Sequence, residues 1–300
     1  MPLRDMALGV LVAVLWGLNF VAIKIGVQEV PPLALTVVRF ALTAALIVPF
    51  TRMTRQALPW VILLSFTLGT MHFALLFYGM NGVGGGTAAI LIQLGVPFST
   101  ILAAIFLKDR LGGWRIFGLG LAFGGAAVLA GEPTLPALGP FLMLVLSAFS
   151  WAASNLLIKR VSSVTPLAIS GWMALFATPQ IALWSLLLEH NQVDAVLNAS
   201  WHLWASMTYI ILGSSVIAYT LWYRLLSLYP VSQVVPLNLL SPLVGIAASI
   251  AFLGESLTWE RVLGGFLTIG GVGLIIYRQS LPRANHKTPP ASELERGSWE

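Results

Sequence analysis

Polar side chains are scarce in the apolar stretches of this sequence, and those present are suited to binding more than to bond breaking. Gln93 precedes Pro97, and Asn238 precedes Pro242, each by one helical turn. A proline inside a helix frees a backbone carbonyl and kinks the axis. An amide beside it can meet both the ammonium and the carboxylate of a zwitterion without a fixed charge, or it can bond to a neighbouring helix. His72 is the single histidine within an apolar stretch, and its ordinary pKa of about 6.5 suits proton exchange. The competing role, a neutral imidazole hydrogen-bonded to the next helix, is preferred here, with His72 kept as a cavity residue because lipid would penalise its ring. Arg39 lies roughly 12 Å from its helix end at 1.5 Å per residue; it could receive a substrate carboxylate or bind helix-end carbonyls, and the structural role is preferred. Asn19, Asn155, Trp16, Trp151, Tyr78 and Tyr219 complete the candidate substrate-binding wall. No Asp or Glu falls inside these stretches, Glu260 standing at the edge of the last, whereas proton-coupled carriers generally use an intramembrane carboxylate with a raised pKa.

The elements that position these groups follow from composition. The 300 residues are 58% hydrophobic and 9% charged, with a mean hydropathy of +0.88. That apolar surface exceeds what a fold of this length encloses, so most of it must face lipid. Soluble and disordered chains are excluded. The absence of cysteine removes disulfides, thiolate metal sites and cysteine nucleophiles. Ten runs are long enough to cross a membrane as helices, near 6–27, 32–50, 59–81, 84–107, 112–130, 137–159, 166–188, 203–228, 231–253 and 260–277. They are continuously apolar without alternation, which excludes a transmembrane barrel. The first is too long for a secretory signal and is expected to stay.

Positive charge predicts the orientation. With the N-terminus inside, thirteen Lys and Arg residues lie on the cytoplasmic side and only Lys24 and Arg261 outside, where Glu29, Glu132, Glu189, Asp194, Glu255 and Glu260 collect. Both chain ends are therefore expected in the cytoplasm. The net charge of +5 records this topology and not affinity for nucleic acid, since no basic run with interleaved aromatics occurs. Residues 279–300, charged and Pro-rich, read as a disordered cytoplasmic tail.

The chain also repeats. Trp16 to Lys24 is echoed by Trp151 to Lys159 at identical spacing; Pro32 matches Pro166; Tyr78, Gln93 and Pro97 match Tyr223, Asn238 and Pro242; Asp109, Arg115 and Gly118 match Glu255, Arg261 and Gly264. Five spans per copy is an odd number, so residues 1–131 and 137–278 must be inverted relative to each other. The predicted fold is an all-α polytopic membrane protein of ten transmembrane helices in two inverted five-helix repeats, N-in and C-in. Inverted repeats with a site at their interface near the midplane are common in secondary transporters, and Gln93 and Asn238 should then face each other across the substrate path.

Trp16-Gly17-Leu18-Asn19-Phe20 with Lys24 and Pro31-Pro32, the Arg39-Phe40 pair, and Gly254-Glu255-Ser256-Leu257-Thr258 resemble the EamA family of the drug/metabolite transporter superfamily, over nearly the whole chain. The opening is similar to the cysteine and O-acetylserine exporter branch, and an aromatic interior would suit amino-acid exporters of the YddG type. The resemblance implies export of amino acids across a bacterial inner membrane. The small multidrug branch of the superfamily uses a glutamate in its first helix, where this chain has Trp16, Asn19 and Phe20, so a cation antiporter built on that acid is disfavoured.

The expected activity is therefore export of neutral amino acids, hydrophobic and aromatic ones included, by alternating access without obligatory proton coupling. The alternatives are export of other metabolites or drugs by proton antiport, or a scaffold without transport. The expected partners are a small-molecule substrate and the lipid bilayer, with no nucleic acid and a monomeric chain. No cofactor or metal is called for, and no H-E-x-x-H, G-x-S-x-G or intramembrane aspartate pair suggests an enzyme. Gly82, Gly84, Gly85 and Gly86 read as a flexible outer turn and not a phosphate loop, and Gly120 with Gly124 as a small-residue face for helix packing.

Overall fold

The computed structural model describes residues 1–106, 108, 111–132, 138–161 and 164–280, and among them all regular structure is helical. The long helices are α1 (Leu3–Glu29), α2 (Pro32–Ile47, extended by a 3-10 turn Val48–Phe50), α3 (Leu58–Gly82), α4 (Gly85–Phe106), α5 (Gly113–Leu129), α6 (Leu138–Ile158), α7 (Pro166–Leu188), α8 (Trp201–Leu228), α9 (Val231–Leu253) and α10 (Trp259–Ser280). A short helix, Gln192–Leu197, precedes α8. Among the described residues nine of the long helices are long and apolar enough to span a bilayer. The exception is α5, whose 17 residues cover about 25 Å against a hydrocarbon thickness of about 30 Å. α10 continues to Ser280, into the first residues of the expected tail; the remainder of that tail lies outside the described residues.

Local chemistry sets the helix ends. Pro32 opens α2 and Pro166 opens α7, where a missing N–H costs nothing, and the Thr165 hydroxyl accepts from Ala168 N at 3.3 Å. α9 stops at Gly254, whose φ of +67° is left-handed backbone that glycine adopts without strain. Ile105, Leu186 and Phe266, 63, 74 and 77% exposed, typify the outward apolar surface that water would not tolerate and lipid does.

The helices run alternately up and down. At one end the termini of α1 and α3 meet the starts of α2, α6 and α8: Lys24 reaches the carbonyls ending α3, Gly82 packs on Pro140 of α6, and Glu29 bonds Ser200 at the start of α8. At the other end Tyr229, just after α8, donates to Asp5 near the start of α1. So α1 runs toward an end from which α6 departs, as inversion of the two halves requires. Acidic side chains gather at the first end and basic ones at the second.

The inversion extends to backbone irregularities. A π-helical stretch, Ser65–Ala74, widens α3, and another, Tyr209–Ile217, widens α8. The 3-10 turn Ile92–Leu94 in α4 has its counterpart in Val235–Leu239 of α9. The offset that lays Gln93 on Asn238 lays these stretches on each other within two residues. Each π stretch is also held by the opposite repeat: α3 by α6 and α7, α8 by α1 and α2.

The tightest contact joins α5 to α10. A Cβ on Gly125 would lie 2.5 Å from Gly264 O and 2.4 Å from Thr268 Oγ1, and one on Gly118 would lie 2.9 Å from Gly271 O. Gly118 and Gly125 thus form the packing face, in place of Gly120 and Gly124, which have nothing within 4 Å. The two pairs sit on different sides of the helix, and only the first is turned toward α10.

Candidate functional site

Arg39, on α2, is the centre around which several of the expected wall residues assemble. Its guanidinium carbon lies 4.4 Å from the Phe73 ring centre, 5.5 Å from Phe77 and 5.6 Å from Phe40. Nη2 donates a long bond of 3.5 Å to Ser215 Oγ, and Nη1 has no hydrogen-bond partner. The residue is only 5% exposed. Expected contacts to helix-end carbonyls are not what holds it: the group rests on the π faces of α2 and α3, an attraction stronger without water. Ser215 belongs to the π stretch of α8, and its own hydroxyl donates to Ile210 O at 2.9 Å.

Trp16 and Tyr219 meet edge to face at 5.3 Å, with Trp222 at 5.1 Å from Trp16. Trp16 Nε1 donates to Ser214 O at 3.2 Å, next to the residue that Arg39 touches. The Tyr219 hydroxyl is within electrostatic reach of the guanidinium. His72, on α3 of the same repeat as Arg39, lies 4.7 Å from Phe73. Its Nδ1 lies 3.0 Å from Ser147 O and 2.9 Å from Ser147 Oγ, and that hydroxyl donates in turn to His72 O. The His72 carbonyl, which also accepts from Leu75 N, thereby gains a second partner from α6. The imidazole is thus bonded to a neighbouring helix, the arrangement preferred from the sequence.

The amides lie elsewhere. Gln93 and Asn238 occupy the equivalent 3-10 turns of α4 and α9, both against α10. Gln93 Nε2 and Asn238 Oδ1 are buried without partners, as is Asn19 Oδ1 on α1; the two proline-adjacent amides are not bonded to each other through these atoms. Trp151 packs over Gly95, two residues from Gln93, so closely that a Cβ there would lie 2.5 Å from its ring. Asn155 follows one turn along α6, half-buried. Tyr78 stands apart and lines a cavity of about 310 Å³ at the acid-rich mouth with Glu29, Asn81, Glu189 and His190.

That acid-rich end is a set of helix caps. Glu189 accepts from Leu33 N at 2.7 Å and Ala34 N at 2.9 Å, at the start of α2. Glu255 accepts from Gly85 N at 2.6 Å and Gly86 N at 3.3 Å, at the start of α4. Glu29 does the same for Ser200 at α8. A carboxylate satisfies donors that a helix leaves open at its positive end. Of the glycines expected as a flexible turn, Gly82 ends α3 and Gly84 precedes α4, while Gly85 and Gly86 are the gripped first turn of α4. Lys24 is the converse, donating to Met80 O and Val83 O at 2.7 and 2.9 Å. Arg261 joins Glu132 at 2.6 Å and Glu255 at 3.1 Å, while Thr87 donates to Glu132 at 2.8 Å. At the opposite end, the bond from its hydroxyl to Asp5 raises the pKa of Tyr229.

Two inverted five-helix halves, crossing polar groups near their interface, and lipid-facing flanks define a membrane transporter fold. The chain belongs to the EamA-like transporter family, whose profile matches twice, over residues 4–131 and 138–277. A "Probable amino-acid metabolite efflux pump" of Salmonella typhimurium is 32% identical over 92% of this chain and 96% of its own. The protein of that description in Escherichia coli matches to the same extent. A "Probable terminal-alkyne amino-acid exporter" of Streptantibioticus cattleyicolor is 27% identical over 94% of this chain and 96% of its own. A chain of known crystal structure aligns with a TM-score of 0.63 at 16% identity, over 94% of this chain and 99% of that one, and shows a shared fold.

Proposed function

We propose that this protein exports neutral amino acids, hydrophobic and aromatic ones included, from the cytoplasm across a bacterial inner membrane by alternating access, with both chain ends cytoplasmic. The similarity to amino-acid exporters supports the cargo. The observation that carries the mechanism is the engagement of the buried carboxylates: Glu132 faces Arg261 and Thr87, and Glu189 caps α2, so both are committed to holding helices together. His72 is held by Ser147. Transport then runs down the substrate gradient, without obligatory proton exchange. The wall is drawn from Trp16, Asn19, His72, Tyr78, Gln93, Trp151, Asn155, Tyr219 and Asn238, with the two inverted halves supplying opposite gates.

The experiment is flux in liposomes containing the purified protein, with labelled leucine, phenylalanine and threonine, the membrane potential clamped, with and without a pH gradient. Several amino acids should equilibrate at rates insensitive to the gradient. Movement of a cationic drug with no amino acid would overturn the cargo, and uphill accumulation that requires the pH gradient would overturn the coupling.

A further inference from the structure

We propose that Arg39 is the receptor for the carboxylate of the exported molecule, an inference that rests on the amino-acid cargo above. A fixed cation buried to this degree is costly, and proteins normally compensate it with an acid. Apart from Glu260, the first residue of the last one, no Asp or Glu occurs in the sequence within the ten apolar stretches, and among the described residues no carboxylate pairs with Arg39. The side chain has three ring faces, one long bond to a hydroxyl and one nitrogen with no partner. Ring faces attract the charge but leave the in-plane N–H groups unused. A guanidinium has a planar fork that fits a carboxylate with two parallel bonds. A substrate carboxylate supplies both missing items, the negative charge and the in-plane acceptors.

The surroundings supply an approach. Arg39 is closed by Phe40, Phe73 and Phe77 on the α2 and α3 side, whereas toward α8 its neighbours Ser215 and Tyr219 retain exposure, Tyr219 37%. Tyr219, Trp16 and Trp222 offer ring faces on that side, fit for an ammonium by cation–π attraction or for an apolar side chain. The matching residue of the other repeat is Met173, so the charge breaks the symmetry of the two halves and marks one end of the substrate. The position of Ser215 within a π stretch also gives a means of release, since a register shift of that turn would move the hydroxyl relative to the guanidinium.

The test compares leucine with leucinamide, which keeps the ammonium and side chain and lacks the carboxylate, using full-length protein in liposomes. Wild type should move leucine and discriminate against the amide. Arg39→Gln, checked for a monodisperse folded state, should lose roughly 10- to 100-fold in leucine affinity, as expected for a lost charged hydrogen bond, and should lose the discrimination. Equal discrimination in wild type and Arg39→Gln overturns the proposal. Arg39→Lys keeps the charge without the fork and should retain discrimination at weaker affinity; it carries the test if the glutamine variant fails to fold. Leucinamide transported by wild type as well as leucine overturns the proposal with no variant at all. If wild type moves no amino acid, the cargo assignment fails by itself. Binding of acetate, lactate and succinate to purified wild type and Arg39→Lys then decides for Arg39: weaker binding in the variant supports a carboxylate receptor, and unchanged or absent binding overturns it.

Discussion

Replacing Arg261 by Met should be among the most damaging single changes in the molecule, and the structure sets the scale. The guanidinium is 4% exposed; its Nη2 meets Glu132 at 2.6 Å, and its Nη1 meets Glu255 at 3.1 Å and Ser256 O at 2.9 Å. Glu132 has a fully buried side chain. Methionine fills much of the volume but leaves the Glu132 charge desolvated without that cation, which costs about 3–5 kcal/mol when a buried pair is broken from one side. Glu255 is 13% exposed and retains the N–H groups of Gly85 and Gly86, so it contributes less. Denaturant titration of the purified protein in detergent measures the loss. Adding Glu132→Gln to Arg261→Met removes the isolated charge and should restore more than half of it. A loss under about 1 kcal/mol, the range of solvent-exposed pairs, or a double variant no better than the single one, would refute the reasoning.

Other outcomes follow from packing, from orphaned amides and from topology. Gly125→Ala should destabilise by about 1–3 kcal/mol because its Cβ meets backbone of α10, while Gly120→Ala, facing open space, should be neutral or gain up to about 1 kcal/mol of helix propensity; denaturant titration separates them. Gln93→Ala and Asn238→Ala should each cut leucine flux more than they lower stability, because Gln93 Nε2 and Asn238 Oδ1 are buried with no partner to lose; unchanged flux in both would take these amides out of the site. Single cysteines at Thr54 and Asn285 should label from the cytoplasmic side and one at Asp194 from outside, checked with an impermeant maleimide; reversed access would refute the orientation.

Much of this was legible because lipid demands simple signals. Continuous apolar runs mark spans, and an odd-numbered repeat dictates inversion whatever the helices do in detail. The Trp16 and Trp151 echo and the Gln93 and Asn238 pair placed the repeats in a register that the structure keeps even in its π and 3-10 turns. What escaped were features decided by the partner surface. Gly120 and Gly124 have the spacing of a packing motif, yet a helix has several faces, and only contact with α10 selects Gly118 and Gly125. A usable signal existed: Gly264 and Gly271 carry the same two-turn spacing in the other repeat.

The acids illustrate a second limit. Read by sign alone, Glu29, Glu189 and Glu255 record which side of the membrane is which. In three dimensions each carboxylate meets the open N–H groups of a helix distant in sequence, so the same residues that record topology also tie helix starts together at one end of the protein. This links gating to capping. An opening of that end which separates α4 from α9, or α2 from α7, must uncover backbone donors that only water or a new cap can satisfy, at a cost that scales with the number of caps released. At the basic end, Tyr229 donates to Asp5 and joins α8 to α1. Under the proposed mechanism, a substrate whose carboxylate pairs with Arg39 on α2 and touches α8 would act between helices that are tied at both ends of the protein.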